Sequence, residues 1–420
     1  MAGGSCPNSL SVSPSRCAWE LYPRMLFSAF KPTCFGNMPL RGTCRKRHVP
    51  WRLEHAHIPR SDGFMNVVLI CLDTFRADCV AAAGRNDFIQ TPNLDRLVRD
   101  GVLFDNAFGE GQPTIQFRRA LVTGNRSYPY AGQFDTKGLW PTCEGWHRID
   151  PEQPTLAEIL LDNGYMTGMA ADTYHMFKPT QNFTRGMASW QFIRGQETDN
   201  YRTGPLSAID FSKYNHPLYH RVPENATVVQ YLLNNQDRQS EMDCLPAKVF
   251  SAAIQFVEDN RDNRPFFLWV DEFDPHEPWD PPRAYADLYD PEWNEGWEPI
   301  MPVPTEAPEA MKRRVRALYH GECTFVDKQV GRLIDVLEAR GLLEETLVIV
   351  CSDHGTEMYD HGGGNKNVRA CRYRLNNEIL LMMRFPGKAH AGKRVAPFVM
   401  NHDLFPTILA MLGVEHGPVD

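Results

Sequence analysis

Two acids and a histidine in this sequence have the type and spacing of metal ligands. Asp73 directly follows the apolar run Asn66–Leu72, and Asp353 and His354 directly follow a second apolar run, Thr346–Ser352. Unbroken runs of apolar and β-branched residues are typical of strands buried on both faces of a parallel sheet. The carboxyl ends of such strands are where open α/β sheets place their ligands. We therefore expect the two strands to lie near each other and the three side chains to converge on one metal ion.

Segments with strand and helix character alternate along most of the chain. Strands are predicted at 165–170, 266–270 and 379–384, and the longest predicted helix covers 315–340. Such alternation predicts an α/β fold with a large mixed, mostly parallel β-sheet sandwiched by helices. The stretch 281–308 is rich in proline and acids and has no periodicity, so we predict an irregular surface insertion there.

The starts of two predicted helices carry polar residues. Thr91 or Asn93 is expected to cap a helix that begins beside them, because both types accept hydrogen bonds from free backbone N–H groups. Thr114 follows a glycine-rich turn and precedes a helix that begins near Arg118. A helix start presents N–H groups and the positive end of a dipole, which suits an anionic ligand beside Thr114.

Composition and charge limit the class of protein. The chain has 420 residues, 42% hydrophobic and 23% charged, with a net charge of −8. These values are ordinary for a soluble protein with a large core. The charge argues against a nucleic-acid partner, and no apolar run has the length of a membrane span, so we expect neither partner. The sequence leaves a homo-oligomer open.

The first 64 residues differ from the rest of the chain. They have scattered prolines and cysteines, a basic tilt and no lasting periodicity. We interpret 1–64 as a disordered extension, or as sequence upstream of a natural start at Met65. The alternative is a small metal-binding or targeting module, but the cysteine spacing fits no zinc template.

The cysteines indicate the redox state of the compartment in which the protein works. There are eleven of them, without the spacing of a disulfide framework, and Cys71 and Cys351 fall inside predicted core strands. A buried free thiol behaves as a small apolar side chain. The amino terminus lacks the features of a secretion signal. We therefore expect a reducing, cytoplasmic setting.

Five stretches resemble the motifs of sulfatases, which belong to the alkaline-phosphatase-like superfamily. In order along the chain they are 66–78, 91–95, 118–124, 274–278 and 352–355. Each is weak alone, but the set in this order is specific. The resemblance covers roughly 65–413 and implies an alkaline-phosphatase-like fold, with 65–420 as a sulfatase-like catalytic domain. It also implies metal-dependent hydrolysis of small anionic sulfate or phosphate esters.

The resemblance implies roles for the side chains already singled out. It implies that Asp73, Asp353 and His354 hold one divalent cation, for which Ca, Mn and Zn are the candidates. It implies that Thr114 is the covalent nucleophile and a further metal contact, and that Arg118 steadies the nucleophile and the metal ligands. The chemistry agrees, because ester hydrolysis needs a nucleophile at reduced pKa and neutralisation of the anion.

Further cationic side chains match positions in the family's active sites. His276 and Lys366 match groups that hold the anionic ester or protonate the leaving group. His175 and His361 lie at positions comparable with active-site histidines. Three of them also have a structural interpretation: His276 as a rigid-loop residue between two prolines, Lys366 as a solvated cation in a glycine loop, and His175 as a residue that only packs.

The chain departs from the family pattern at the nucleophile. Most sulfatases carry Cys or Ser at the position of Thr114, oxidised to formylglycine, with Pro where Gln116 stands here. Threonine cannot form that aldehyde, so water must release its ester by attack on sulfur or phosphorus. Phosphoryl transfer from threonine is familiar in phosphodiesterases of the superfamily. Thr74 and Thr173 also stand where relatives often have a metal-binding Asp and a Lys.

Two alternatives to a sulfuric ester hydrolase therefore stay open. One is a phosphodiesterase or phosphonate monoester hydrolase on the same scaffold. The other is a catalytically inactive sulfatase-like binding protein, although a fold alone does not need these ligands and this nucleophile. Related proteins continue into a small carboxyl-terminal subdomain, which the resemblance predicts to be truncated here.

Overall fold

The computed structural model describes residues 65–128, 145–178, 180–263, 265–366 and 370–420. The predicted extension at 1–64 lies outside these residues. No described helix combines the length and the apolar composition that crossing a bilayer requires.

The described strands form one large sheet and one small pair. They are β1 (Asn66–Leu72), β2 (Val102–Phe104), β3 (Ala107–Phe108), β4 (Met166–Ala171), β5 (Ser189–Phe192), β6 (Phe266–Glu272), β7 (Thr346–Ser352), β8 (Leu381–Arg384), β9 (Lys393–Val395) and β10 (Val399–Met400). Within the described residues, the large sheet has the order β5-β4-β6-β1-β7-β8-β2-β9, and β10 pairs with β3. β8 runs antiparallel to β7 and β2, and the other neighbours are parallel. The predicted mixed, mostly parallel sheet is confirmed.

The strands that carry the predicted ligands are neighbours at the centre of the sheet. β1 lies between β6 and β7, and Leu72 is in register with Glu272 on one side and Ser352 on the other. Every residue of β1 and β7 is buried, as unbroken apolar runs predict. The residues that follow these strands therefore emerge side by side at one edge of the sheet.

Helices pack against this sheet. They are α1 (Pro92–Asp100), α2 (Ile115–Thr123), α3 (Leu156–Asp162), α4 (Ala226–Asn234), α5 (Leu245–Asn260), α6 (Arg283–Ala286), α7 (Glu309–Ala339), α8 (Arg374–Asn377) and α9 (Leu404–Leu412). Val68 and Ile70 of β1 share one core with Val330 and Leu333 of α7. The long predicted helix is therefore confirmed, although it begins six residues earlier than 315.

The stretch 281–308 is not the surface insertion that its composition predicted. It contains α6, and its side chains Trp293, Trp297 and Ile300 are buried. Arg314 of α7 is fully buried, and its guanidinium donates to Glu298 within the stretch at 2.7 and 2.6 Å. Apolar residues at irregular spacing can be buried in a segment that follows the shape of its neighbours, and such a segment shows no periodicity in the sequence.

The start of α1 is capped differently from the prediction. Thr91 occupies the N-cap position, but its side chain makes no cap hydrogen bond within the described residues. Instead, Asp327 of α7 accepts from the backbone N–H groups of Asn93 and Leu94 at 3.2 and 2.7 Å. A carboxylate from another helix thus replaces the local cap, which adjacent residues alone could not predict.

Candidate active site

The carboxyl ends of β1 and β7 bring Asp73, Asp353 and His354 together. One ligand atom from each of the three lies within 4.8 Å of the others, and all three side chains are buried. Thr74 connects the acids: its N–H donates to Asp353 Oδ1 at 2.9 Å and its hydroxyl donates to Asp73 Oδ1 at 2.7 Å. The expected convergence of two distant acids and a histidine is therefore present in the geometry.

Three features of this cluster fit a divalent cation. His354 Nδ1 donates to the carbonyl of Gly355 at 2.8 Å, which leaves the lone pair on Nε2 free for a metal. Within the described residues, His354 Nε2 is buried without a hydrogen-bond partner, and Asp73 Oδ2 is buried with an ion pair to Arg118 at 3.2 Å but no hydrogen bond. Burial lowers the pKa of His354 to about 4, so its ring is neutral at pH 7. Two carboxylates with one neutral imidazole form a donor set that Ca, Mn or Zn can accept.

The two acids affect each other's ionisation. Burial and the neighbouring carboxylate of Asp353 raise the pKa of Asp73 well above its usual value. Burial also opposes ionisation of Asp353, but the His354 ring and the Arg118 guanidinium hold the pKa of Asp353 below its usual value. Two buried carboxylates this close attract positive charge.

Arg118 of α2 supplies a fixed positive charge at this point. It is fully buried, with Nε 2.9 Å from both carboxylate oxygens of Asp271, and with Nη1 2.7 Å from Asp353 Oδ2 and 3.2 Å from Asp73 Oδ2. The same Nη1 donates to the carbonyl of Thr114 at 3.2 Å. One guanidinium thus links the ends of three strands to the start of α2.

Sequence analysis missed Asp271, the main partner of Arg118. Asp271 lies near the end of β6, after an apolar run of the kind that precedes Asp73, so the same signal was available for both. Thr173, which stands where relatives often have a lysine, donates its hydroxyl to Asp271 and is 3.4 Å from Arg118 Nη2. A neutral hydroxyl therefore occupies that position within the charged network.

Thr114 directly precedes α2, which begins at Ile115, three residues before the predicted start near Arg118. It is the N-cap residue, only 3% exposed, and its φ of 38° lies in the left-handed region that is unfavourable for a β-branched residue. Its side chain makes no cap hydrogen bond to α2 within the described residues. The preceding chain lies against β7, since a Cβ at Gly109 would lie 3.0 Å from the carbonyl oxygen of Asp353. Thr114 is linked to the acid cluster through its carbonyl, which accepts from the same Arg118 Nη1 that lies 2.7 Å from Asp353 Oδ2, and its hydroxyl does not cap the helix.

His276 and Lys366 come to the site from loops. His276 Nδ1 donates to the carbonyl of Glu277 at 2.7 Å, and its ring stacks on Phe273 with centroids 4.2 Å apart. Lys366 Nζ donates to Thr74 Oγ1 at 3.1 Å and to Glu277 Oε2 at 3.0 Å. Burial opposes ionisation of Glu277, but His276 and Lys366 lower its pKa to about 2. Lys366 is thus fixed beside the residue that follows Asp73 and is not a freely solvated cation.

The two remaining histidines have different surroundings. His175 lies in a 3-10 helix, Tyr174–Met176, that follows β4, and its pKa is lowered to about 4, chiefly by burial. It packs against Trp146 with ring centroids 4.6 Å apart, and its Nε2 lies 3.7 Å from Glu197 Oε2. His361 is partly exposed, and within the described residues its hydrogen bond and ring contact are with Glu357 and Tyr373. The structure joins His175 to the network and does not join His361 to it.

The family model described as Sulfatase matches residues 65–414. An arylsulfatase of Clostridium perfringens is 26% identical over 392 residues, covering 82% of this chain and 74% of that protein. A multifunctional alkaline phosphatase superfamily protein, PehA of Trinickia caryophylli, is 26% identical over 404 residues, covering 83% and 74%. The structure of a phosphonate monoester hydrolase of Agrobacterium radiobacter aligns with a TM-score of 0.61 at 21% identity, covering 84% of this chain and 74% of that chain.

Proposed function

This chain belongs to the sulfatase family of ester hydrolases, in the alkaline-phosphatase-like superfamily, and from that premise we propose that it is a metal-dependent hydrolase of sulfuric esters with Thr114 as covalent nucleophile. The observation that supports this most is the convergence of Asp73, Asp353 and His354 within 4.8 Å. A single divalent cation held there would lower the pKa of the Thr114 hydroxyl and stabilise the negative charge of the ester.

Each side chain of the site then has its own role in the reaction. Thr114 Oγ1, after losing its proton to solvent, attacks sulfur, and the bond from sulfur to the alcohol oxygen breaks. His276 gives that oxygen a proton from Nε2, since Nδ1 is engaged with the carbonyl of Glu277. Water then attacks the sulfur of the threonyl ester and releases sulfate and Thr114. Arg118 and Lys366 provide positive charge beside the transferring group.

Phosphorus chemistry is the second candidate, and the identity of the nucleophile favours it. The sulfate ester of a hydrated aldehyde can release sulfate by elimination, because its second hydroxyl re-forms the aldehyde. Thr114 has a single hydroxyl, so its ester must be hydrolysed at sulfur or phosphorus. Transfer of a phosphoryl group to and from a threonine needs no second hydroxyl. The similarity to PehA, a multifunctional alkaline phosphatase superfamily protein, also supports this second candidate. The alternative substrates are therefore phosphodiesters and phosphonate monoesters.

The test compares substrates and metals on the full chain. The protein is stripped with a chelator and reloaded separately with Ca, Mn or Zn, and turnover of an aryl sulfate, a phosphodiester and a phosphonate monoester is measured. We expect metal-dependent turnover of the aryl sulfate and its loss on chelation. Thr114→Ala should lower kcat by about 10³-fold or more, because the covalent route is lost. Thr114→Ser is the matched control, which keeps a hydroxyl and should keep measurable turnover and a sulfated active-site peptide in mass spectra.

Each other outcome selects a different candidate. Faster turnover of the phosphodiester or the phosphonate supports the second candidate. If the metal-loaded protein hydrolyses none of the esters, and Thr114→Ala binds them as well as the parent does, the chain is an inactive binding protein.

A further inference from the structure

A glutamate that sequence analysis did not single out faces two of the buried histidines of the site, His175 and His276. We infer that Glu197 is a positioning residue whose carboxylate, beside Nδ1 of His276, stabilises the imidazolium that donates a proton to the leaving group, an inference that rests on the proposed function. Glu197 lies in an irregular turn after β5, and its own sequence neighbourhood has no motif.

The turn at 195–199 is tied to the strand ends that carry the site. The side-chain amide of Gln196 donates to Asp172 Oδ2 at 2.7 Å and to Asp274 Oδ1 at 2.8 Å. These acids follow β4 and β6. The other end of the turn is closed by Asp199, whose carboxylate accepts from the N–H of Gly195 at 3.0 Å. The turn is therefore held beside the loop that delivers His276.

The carboxylate of Glu197 lies between the two histidines. Oε1 is 3.6 Å from His276 Nδ1, Oε2 is 3.7 Å from His175 Nε2, and the hydroxyl of Tyr174 donates to Oε2 at 2.8 Å. Its backbone has a φ of 34°, in the left-handed region that few side chains adopt. Burial opposes its ionisation, but His276 and His175 lower its pKa, so the group is a carboxylate at neutral pH.

The charge of Glu197 acts mainly on His276. The pKa of His175 is lowered to about 4, chiefly by burial, so that ring is neutral at pH 7 and does not offset the carboxylate. The other nearby carboxylate, Glu277, is 3.6 Å from His276 Nδ1 but is paired with Lys366 at 3.0 Å. Within the described residues, the ion pairs of Glu197 are with the two histidines.

The orientation of the His276 ring makes this charge useful. Because Nδ1 donates to a carbonyl, Nε2 is the atom that exchanges a proton with the ligand. A carboxylate beside Nδ1 stabilises the imidazolium without occupying Nε2. In the part of the chain that the structure describes, the titratable and charged groups that face His276 are Glu197, Glu277, His175, His354 and, through Glu277, Lys366.

The test is Glu197→Gln, assayed on two sulfate esters whose leaving groups differ. A nitrophenolate departs without a proton, whereas an alkoxide needs one, so only the alkyl ester depends on the proton donor. We expect kcat to fall about tenfold for the alkyl ester and less than about twofold for the nitrophenyl ester. The alkaline limb of the rate profile should move about one unit to lower pH, since without the negative charge the imidazolium loses its proton more readily.

Controls separate this role from a merely structural one. Glu197→Asp should restore part of the loss, because it keeps the charge. Glu224→Gln removes a carboxylate from an exposed pair with Arg221 and should leave both substrates and the profile unchanged. Equal losses on both esters in Glu197→Gln, without movement of the alkaline limb, would overturn the inference.

A second measurement does not depend on turnover. In protein with ¹³C-labelled histidine, the ring of His276, assigned with the His276→Asn variant, is titrated by NMR in the parent and in Glu197→Gln. The midpoint should fall by about one pH unit in the variant, and an unchanged midpoint contradicts the inference. A parent that hydrolyses none of the esters would contradict the proposed function, and the titration would still decide the role of Glu197.

Discussion

The candidate site has two halves that are built in different ways. The strand-end half consists of acids that follow or end neighbouring strands, together with the arginine between them: Asp73, Asp271, Asp353 and Arg118. The loop half consists of residues from irregular segments: His175, Glu197, His276, Glu277 and Lys366. In the strand-end half every side chain is fully buried, and the acids are placed by the register of β1, β6 and β7.

The loop half is held by side-chain contacts instead of register. His276 is fixed by one hydrogen bond to a carbonyl and by the Phe273 ring, and Lys366 by hydrogen bonds to Thr74 and Glu277. Glu197 keeps 15% of its side chain exposed. Charge and stability are therefore coupled in the strand-end half, because removing one group there leaves a buried charge without its partner. The loop half can lose a group and remain folded.

The largest expected effect is removal of Arg118. Arg118→Met leaves Asp73, Asp271 and Asp353 buried without their shared cation, and breaking a buried ion pair costs about 3–5 kcal/mol. We therefore expect the free energy of unfolding, measured in urea, to fall by that amount, and hydrolysis to be lost with it.

Arg96→Met is the matched control for this substitution. Arg96 pairs with Asp335 at 3.0 Å on the surface, and loss of such a pair changes stability by less than about 1 kcal/mol. Similar urea midpoints for the Arg118 and Arg96 variants would show that the strand-end half does not support the fold, and the comparison between the halves would fail.

Sequence patterns predicted two acids of the strand-end half, whereas Arg118 was found through resemblance to a family and Asp271 was missed. Asp73 and Asp353 follow apolar runs, and parallel central strands have only one edge at which their carboxyl ends can meet. Asp271 follows a run of the same type and could have been included on the same grounds. The mixed, mostly parallel sheet and the long helix α7 were predictable for a similar reason, because periodicity reports burial directly.

The loop half was predictable only in part. His276 and Lys366 were found through resemblance to a family, and Glu197 was not found, because its position depends on hydrogen bonds from Gln196 to acids far away in the chain. The prediction of a surface insertion at 281–308 was wrong for the same reason. Its buried tryptophans have no period of their own, and Trp297 packs against His216 and His220, which are distant in the chain. Contacts between side chains that are distant in sequence leave no local pattern.

A smaller effect, on rate alone, is expected for His276→Asn. Removing a proton donor lowers the rate by about 10²-fold when the leaving group needs a proton. The asparagine amide keeps a donor near the Glu277 carbonyl, so we expect the free energy of unfolding to change by no more than about 1 kcal/mol. Turnover of an alkyl ester and a urea transition measure the two quantities. If His276→Asn lowered the free energy of unfolding as much as Arg118→Met does, His276 would support the fold in the same way as the strand-end half.

The smallest effect is expected from Lys366→Met, and it depends on pH. The pKa of Glu277 is lowered from 4.5 to about 2 in the folded protein, since His276 and Lys366 outweigh the effect of burial. A depressed carboxyl pKa stabilises the fold above pH 4.5, and that contribution is lost as the pH falls toward 2. Without Lys366, we expect the free energy of unfolding at pH 6 to fall by about 1–2 kcal/mol. The difference in the free energy of unfolding between parent and variant should disappear as the pH is lowered to about 2, because protonated Glu277 no longer needs the cation.

Lys388→Met, which removes a half-exposed lysine paired with Asp100, is the control, and its stability should follow that of the parent at every pH. A gap of constant size from pH 6 to pH 2 would mean that Lys366 stabilises the loop by packing and not by its charge.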